Sequence, residues 1–332
     1  MKVLVTGGTG FLGANLVHHL VARGDPVRVL KRRRTPPDIL QGLPVEFVEG
    51  DLTDRESLER ACAGVEGVYH VAALVSYWRP RRAWQHRVNV EGTRNVVDAA
   101  ARAGVRRLVH TSSIAAIGYP ASRDGQPADE ETEWNWGPQD VGYCTTKHLG
   151  EQAALEANGR GLEVVVVNPA VIFGPRDVHR NTGRLITMVA QNSTLPWPEG
   201  VITTCDVDDV CAGHVAAMER GRPGRRYILG GEHWRFRDLI QAVAEILGKK
   251  VRVVTVPGWV ESLVAWTAYG ASLLTRREPP LTPELVRVRR LVGTYSSARA
   301  IRELGYPQTP LRATLEKTYR WYVENGYLKV RR

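Results

Sequence analysis

The sequence is poor in sulfur: its 332 residues include only four Cys and three Met. None of Cys62, Cys144, Cys205 and Cys211 forms a Cys-x-x-Cys pair, which disfavours a disulfide scaffold and a zinc ribbon, and we expect no metal site. The chain also lacks the apolar run of a signal peptide, because its first short apolar stretch already meets glycine at Gly7. We therefore expect a cytoplasmic protein.

Lysine is scarce as well: only seven of the 45 Lys and Arg residues are Lys, and the formal net charge is +10. Basic proteins often bind anions such as nucleic acid, acidic membranes or phosphorylated ligands. We interpret the overall charge as Arg-rich residue usage, and we expect no nucleic-acid partner. One dense cluster, Lys31-Arg32-Arg33-Arg34, is a candidate for binding a specific anion.

Short apolar runs alternate with segments of helical spacing over the first half of the chain. This alternation predicts an α/β fold with a doubly wound parallel sheet, the Rossmann arrangement. The predicted strands are 2–6, 27–30, 45–48, 67–71, 107–111 and 163–167, and the predicted helices are 11–23, 54–63, 84–103 and 143–157.

The pattern loosens after Pro175, where helices are predicted at about 183–191, 208–220 and 236–247 between links rich in Pro and Gly. We expect a dinucleotide-binding domain over 1–175 and a smaller, mainly helical substrate lobe over 176–332. A strand near Tyr227–Leu229 is expected to return to the main sheet.

A cluster of glycines lies between the first predicted strand and the first predicted helix. Gly8, Gly10 and Gly13 satisfy G-x-G-x-x-G, and Gly7, Gly10 and Gly13 have the related spacing G-x-x-G-x-x-G. Glycine lets the backbone turn tightly and approach a pyrophosphate, while the helix N-terminus offers free N–H groups. The cluster therefore predicts dinucleotide binding.

The residue about twenty positions further on selects the cofactor, because an Asp or Glu there accepts the ribose 2′-hydroxyl of NAD. The sequence has four cations at Lys31–Arg34 and no carboxylate. Since a guanidinium can hold a 2′-phosphate with two parallel hydrogen bonds, we expect NADP(H) rather than NAD(H). The alternative is a solvated basic loop that faces away from the ligand.

A second group of residues is suited to proton transfer. Tyr143 and Lys147 lie one helical turn apart, and a nearby cation favours the phenolate form of a Tyr, whose ordinary pKa is near 10. We therefore expect Lys147, together with a bound nicotinamide cation, to lower the pKa of Tyr143. Ser113 follows the fifth strand at the carboxyl edge of the sheet, where its hydroxyl can hold a reacting carbonyl group.

With these motifs the chain resembles the extended short-chain dehydrogenase/reductase family. Within that family it looks most like the dihydroflavonol-4-reductase-like branch and the bacterial hopanoid-associated sugar epimerases. The matching segments are TGGTGFLG at 6–13, GDLTD at 50–54, HVAA at 70–73, NVEGT at 89–93, TSS at 111–113, YCTTK at 143–147 and NPAVIFGP at 168–175.

The resemblance implies a role for each matching position. Ser113, Tyr143 and Lys147 would be catalytic, and Asn89 would support Lys147 through a water or backbone link. The residues expected to bind the cofactor are Gly7, Thr9, Gly10, Phe11, Leu12, Gly13, Lys31, Arg32, Asp51, Leu52, Val71, Ala72, Ala73, Thr111, Tyr143, Lys147, Pro169 and Ile172.

Two departures from the family bear on the substrate. Sugar-nucleotide epimerases usually carry an Arg where this chain has Ile202, and Arg-Pro where it has Asn168-Pro169; Arg176, Arg180 or Arg184 could substitute. Ser113 also lacks the Asp-Glu pair that follows it in sugar 4,6-dehydratases. We therefore predict an NADPH-dependent reductase of a ketone or aldehyde. An NAD(P)-dependent sugar epimerase and a non-catalytic NADP(H)-sensing protein stay as alternatives.

Aromatic residues near the predicted site favour an apolar carbonyl substrate, although they could equally be packing residues. They are Trp134 and Trp136 in the long loop Tyr119–Gly142, and Tyr77, Trp78 and Trp84 opposite.

The apolar segment Pro257–Thr275 is a poor membrane span, because it contains Glu261 and several small polar residues. We expect a buried lid helix or a dimer surface there, with an interfacial helix on an acidic membrane as the alternative. The resemblance favours a monomer or a homodimer.

Overall fold

The computed structural model describes residues 1–36, 38–120, 125–291 and 293–328. The strands are β1 (Val3–Thr6), β2 (Val27–Lys31), β3 (Val45–Glu49), β4 (Gly67–His70), β5 (Arg107–Thr111), β6 (Glu163–Pro169), β7 (Val171–Phe173), β8 (Thr194–Trp197), β9 (Val201–Asp206), β10 (Arg226–Leu229), β11 (His233–Arg235) and β12 (Arg252–Thr255).

The helices alternate with these strands over the first half of the chain and dominate the second half. They are α1 (Phe11–Ala22), α2 (Arg55–Cys62), α3 (Arg82–His86), α4 (Gly92–Arg102), α5 (Gly142–Glu156), α6 (Arg184–Gln191), α7 (Val207–Arg220), α8 (Phe236–Ile246), α9 (Gly258–Thr275), α10 (Pro283–Leu291), α11 (Ala298–Leu304) and α12 (Leu311–Glu324). No helix within the described ranges is long and apolar enough to cross a membrane.

The main sheet has seven parallel strands in the order β10-β6-β5-β4-β1-β2-β3. Its strands are nearly continuous apolar runs because both faces are covered. One apolar cluster joins the sheet to α1 and α7, and another joins its opposite face to α2, α4 and α5. The doubly wound Rossmann architecture predicted from the sequence is therefore confirmed.

Part of the chain after residue 175 packs on this sheet. Strand β10 pairs with β6 and is the outermost strand on that side of the sheet, and α7 lies against α1. A third apolar cluster forms a separate core from α6, α8 and α12 together with two small sheets, β11-β9-β7 and β12-β8.

One long helix was expected over 84–103, and the structure differs. A five-residue π-helical turn, Arg87–Glu91, separates α3 from α4. A π turn admits an extra residue into the helix, which rotates the side chains that follow it. Asn89 in this turn is thereby buried, with only 4% of its surface exposed.

Candidate active site

A cleft of about 700 Å³ opens at the carboxyl ends of β1, β4, β5 and β6. In the sheet order, β1 lies between β2 and β4. Successive strands are therefore added outwards on one side of this point for β1 to β3 and on the other side for β4 to β6. Ligands of doubly wound folds bind at such a point. We call this space the sheet-edge cleft. All the predicted cofactor residues line it, together with Ser113; Asn89 does not.

The glycine loop is shaped by close backbone approaches. Gly7 has φ +72°, and a Cβ there would lie 2.7 Å from the backbone of Ala72. A Cβ on Gly13 would lie 2.1 Å from the carbonyl oxygen of Gly7. Gly10 caps the N-terminus of α1 without a side-chain hydrogen bond, and Gly10 and the first residues of the helix line the cleft. These residues fit a dinucleotide pyrophosphate.

The four cations of the basic cluster have different surroundings. Arg32 and Arg34 line the cleft, whereas Arg33 does not. Lys31 also lines it, but its Nζ lies 3.7 Å from a carboxylate oxygen of Glu49 on the neighbouring strand. Sequence reasoning did not assign Arg34 to the site, although the run of cations could have suggested it.

Tyr143 lies in the first turn of α5, with its ring 5.4 Å from that of Tyr77 in an edge-on arrangement. Burial raises the pKa of Tyr143 to about 12, and a hydrogen bond with the Ser113 side chain acts in the opposite direction. The Ser113 hydroxyl also accepts a hydrogen bond of 3.2 Å from the Ala115 backbone N–H. Ser113 and Tyr143 therefore meet on one wall of the cleft.

Lys147 is buried one turn further along α5, and its Nζ donates a 2.8 Å hydrogen bond to the carbonyl oxygen of Thr111. Burial lowers the pKa of Lys147 to about 8, with Glu151 acting in the opposite direction. The expected lowering of the Tyr143 pKa by Lys147 is not seen in the protein itself. The phenol is desolvated, and the ammonium group is directed towards Thr111.

Neutral groups surround the charge of Lys147. Burial and the positive charge of Lys147 lower the pKa of His70 to about 3. The His70 ring is fixed between Thr6 Oγ1, 2.8 Å from Nδ1, and Thr93 Oγ1, 3.0 Å from Nε2. The same two causes lower the pKa of His110, whose ring lies 5.2 Å from that of His70. The His70 and His110 rings are therefore neutral beside the Lys147 ammonium group.

A buried polar network behind Ser113 was missed by sequence reasoning. Asn168 Nδ2 donates to the carbonyl oxygen of Ser113, at 3.1 Å, and to Glu151 Oε2, at 2.6 Å. Glu151 also pairs with Arg226 on β10, at 3.2 Å. Glu151 follows Lys147 by four positions on α5, and this helical spacing was the available signal. The network holds the backbone that carries Ser113.

The described hydrogen bonds of Asn89 are to Leu74 and Thr146, and its support of Lys147 through a water or backbone link stays a prediction. Its Oδ1 accepts from the Leu74 N–H at 2.7 Å. Its Nδ2 donates to the Leu74 carbonyl at 3.0 Å and to Thr146 Oγ1 at 3.2 Å. The π turn directs the amide to these partners. Asn89 therefore ties the chain after β4 to α5 beside Lys147.

Some of the aromatic residues near the predicted site are packing residues, and others line the cleft. Trp136 is buried and donates to the Ile117 carbonyl, and Trp134 stacks on His148 with ring centres 4.4 Å apart. Both are packing residues of the long loop, of which residues 121–124 lie outside the described part of the chain. Trp78 is also buried, whereas Trp84 is 45% exposed and lines the cleft. His179 and Asn181, which sequence reasoning missed, line the cleft as well.

The arginines that could replace the missing sugar-nucleotide ligand are placed elsewhere. Arg176 donates to Asn15 Oδ1 at 2.9 Å, and Arg180 lies over the ring of Tyr327. Neither of these two, nor Arg184, is among the described residues that line the cleft, and Ile202 is buried in β9.

The chain is similar to a known family and to several known proteins. The sequence model of the NAD dependent epimerase/dehydratase family matches residues 3–230. A putative dihydroflavonol 4-reductase from Synechocystis is 37% identical over 98% of this chain and 95% of its own length. Sterol demethylase protein B from Methylococcus capsulatus is 37% identical over 99% of this chain and all of its own length.

Among solved structures, a dTDP-glucose 4,6-dehydratase from Streptomyces venezuelae with NAD bound has a TM-score of 0.79, 26% identity and 99% coverage of both chains. The family match covers the glycine loop, Ser113, Tyr143 and Lys147. The chain therefore belongs to the NAD dependent epimerase/dehydratase family, and it is an NAD(P)-dependent oxidoreductase of the extended short-chain dehydrogenase/reductase type.

Proposed function

We propose that this protein is an NADPH-dependent reductase of an apolar ketone or aldehyde. One observation carries the proposal: Ser113, Tyr143 and Lys147 line the same cleft as the glycine loop and two arginines of the basic cluster. The named similarity to a putative dihydroflavonol 4-reductase supports reduction of a carbonyl compound.

The preference for NADPH rests on Arg32 and Arg34. Both line the cleft, and neither forms an ion pair with a carboxylate of the described residues. Asp51 also lines the cleft, but its Oδ1 accepts hydrogen bonds from the backbone and side chain of Thr53, at 2.9 and 2.8 Å. The two guanidinium groups can hold a 2′-phosphate, which a carboxylate would repel.

The side chains divide the work of reduction among themselves. NADPH, when bound, supplies the hydride. Ser113 hydrogen-bonds the carbonyl oxygen of the substrate and holds it beside the Tyr143 hydroxyl. Tyr143 donates its proton to that oxygen. Lys147 lies one helical turn away, with its ammonium group held by the Thr111 carbonyl, and can stabilise the phenolate once cofactor and substrate occupy the cleft.

The protonation state of Tyr143 suits the proton donor that reduction needs. Burial raises the pKa of Tyr143 to about 12, so the side chain is a phenol at neutral pH.

The lining of the cleft favours an apolar substrate. Val75, Trp84 and Val88 line the cleft on one side, and the arginines expected for a nucleotide diphosphate are placed elsewhere. The sterol named in the second relative is an apolar, alicyclic compound, which agrees with such a lining. We propose alicyclic and aromatic ketones as the first compounds to test.

The test is a panel assay of NADPH oxidation with alicyclic and aromatic ketones and aldehydes, beside an assay of UDP-sugar interconversion. The proposal expects oxidation of NADPH with at least one apolar carbonyl compound and no interconversion of sugars. Sugar interconversion without added NADPH would establish the epimerase. Tight NADPH binding without turnover across both assays would favour the sensing protein.

A further inference from the structure

Helix α9 has an inverted distribution of side chains. Its buried positions are Glu261, Ala265 and Ser272, which are small or polar. Its large apolar side chains point outwards, with exposed fractions of 72% for Trp259, 58% for Leu263, 51% for Val264, 52% for Trp266, 51% for Leu273 and 88% for Leu274. We call these six residues the outer face of α9. A surface helix normally has the opposite arrangement.

Polar contacts on its inner side hold α9 in this orientation. Glu261 pairs with Arg289 on α10 at 3.1 Å, and Arg290 donates to Ser262 Oγ at 2.8 Å. Ser272 Oγ accepts a 2.9 Å hydrogen bond from the indole of Trp78. Turning the helix to bury its apolar residues would break these contacts. The outer face is therefore fixed towards the surroundings, and apolar patches of this extent mark interaction surfaces.

Positive charge lies at both ends of the outer face. Arg290 also donates to the Gly258 carbonyl at the start of α9, and the exposed Arg276 and Arg277 follow its end. Arg276 and Arg277 form no ion pair with a carboxylate that the structure describes. The one carboxylate within the helix, Glu261, is buried and paired. An 18-residue helix is about 27 Å long, so arginines and apolar side chains form one extended surface.

We propose that α9 lies flat on an anionic phospholipid surface, with its outer face in the acyl region and its arginines at the headgroups. Tryptophans and leucines beside arginines are the composition of interfacial helices. A second copy of the chain is a poorer occupant. Because both ends carry arginines, parallel or antiparallel pairing of two α9 helices would bring cations together.

The docked helix would bring the mouth of the cleft close to the bilayer. The segment 74–78 runs from the cleft to α9. Val75 lines the cleft, and Ser76 Oγ donates a 2.9 Å hydrogen bond to Glu278. Trp78 is hydrogen-bonded to Ser272 on α9. An apolar substrate dissolved in the bilayer would meet the cleft without crossing water. The docking itself does not depend on the reductase assignment.

The test is co-sedimentation of the full-length protein with vesicles of phosphatidylcholine alone or mixed with phosphatidylglycerol. We expect binding to the anionic vesicles that weakens as salt is added. Trp259→Ser with Leu263→Ser should reduce binding by roughly tenfold or more. Arg276→Gln with Arg277→Gln should reduce the salt dependence.

The matched control is Phe47→Ser with Ile301→Ser, which removes two exposed apolar side chains elsewhere, 38% and 44% exposed. This pair should sediment like the wild type. Circular dichroism checks that all variants are folded. The proposal is overturned if the wild type sediments with neither vesicle, or if both serine pairs lose binding equally. A wild-type dimer that the α9 pair dissociates, without vesicle binding, would assign the face to self-association.

Discussion

Along the floor of the sheet-edge cleft, side chains from strand ends and from α5 are held by hydrogen bonds, such as the 2.8 Å bond from Lys147 to the Thr111 carbonyl. Along the rim that runs through residues 74–78 to α9, large apolar side chains are exposed, and a few polar contacts fix the backbone. The floor buries polar and charged groups together with their hydrogen-bond partners, whereas the rim exposes large apolar side chains. We infer that the two regions have different roles: the floor fixes the reacting groups, whereas the rim presents a surface to an apolar partner.

The largest expected effect lies on the floor. Tyr143→Phe should lower turnover with a ketone found in the panel by about 10²- to 10⁴-fold, because the proton donor is lost. NADPH affinity should stay close to that of the wild type. The matched control is Tyr77→Phe, since the Tyr77 ring contacts that of Tyr143 without a role in proton transfer. Equal turnover in the Tyr143 variant and the wild type would contradict the mechanism.

The second prediction separates two neighbouring cations. Arg32→Asp should weaken NADPH binding by roughly 10- to 100-fold and change NADH binding far less, because the 2′-phosphate loses a partner and gains a repulsive charge. Arg33→Asp is the control, since Arg33 is exposed but does not line the cleft. Fluorescence titrations would measure both affinities. Similar losses for NADPH and NADH would refute the NADPH preference.

The third prediction concerns Asn89, which connects the chain after β4, where the rim begins, to α5 on the floor. Asn89→Ala removes three hydrogen bonds of a buried amide and should lower the free energy of unfolding by about 1–3 kcal/mol. The exposed Asn192, which donates to the Met188 carbonyl, is the control, and Asn192→Ala should cost less than about 0.5 kcal/mol. Denaturant titrations measure both. Equal losses would show that Asn89 is not a structural link.

The smallest expected effect concerns the burial of Lys147. The folded protein lowers the pKa of this side chain from 10.5 to about 8, so between these values the unfolded chain binds more protons. Wild-type stability therefore gains from rising pH in that window. Lys147→Met should be more stable than the wild type by about 1 kcal/mol at pH 7, with the gap closing towards pH 10.5.

Lys317 provides the control for this prediction. Burial lowers its pKa, but hydrogen bonds to Asp206 and Asp208 outweigh burial, and the net shift is upward. Lys317→Met should therefore be less stable than the wild type at pH 7. Thermal unfolding at several pH values measures both variants. A pH-independent loss of stability in Lys147→Met would show that the burial of its charge is not costly.

The sequence predicted the features that depend on local patterns. The order of strands and helices, the strand-to-helix glycine loop and the one-turn spacing of Tyr143 and Lys147 follow from neighbouring residues, and the first half of the fold agrees with them. Every predicted cofactor residue also lines the cleft at the carboxyl ends of the strands.

Features that depend on long-range contacts were not predictable in this way. The small sheets pair strands of three to six residues from distant parts of the chain, such as β12 with β8. The π turn that buries Asn89 has no local signal in the spacing of apolar residues. The expected lowering of the Tyr143 pKa is not seen in the protein itself, because sequence spacing gives neither the direction of the ammonium group nor the desolvation of the phenol.

The nucleotide content of the freshly purified protein tests the central claim most directly. A reductase exchanges its cofactor in every cycle, so we expect the protein to be isolated empty or with substoichiometric NADP(H), and to bind NADPH more tightly than NADH. Stoichiometric NAD⁺ would contradict the account, because it indicates an enzyme that retains and regenerates its cofactor, as an epimerase does.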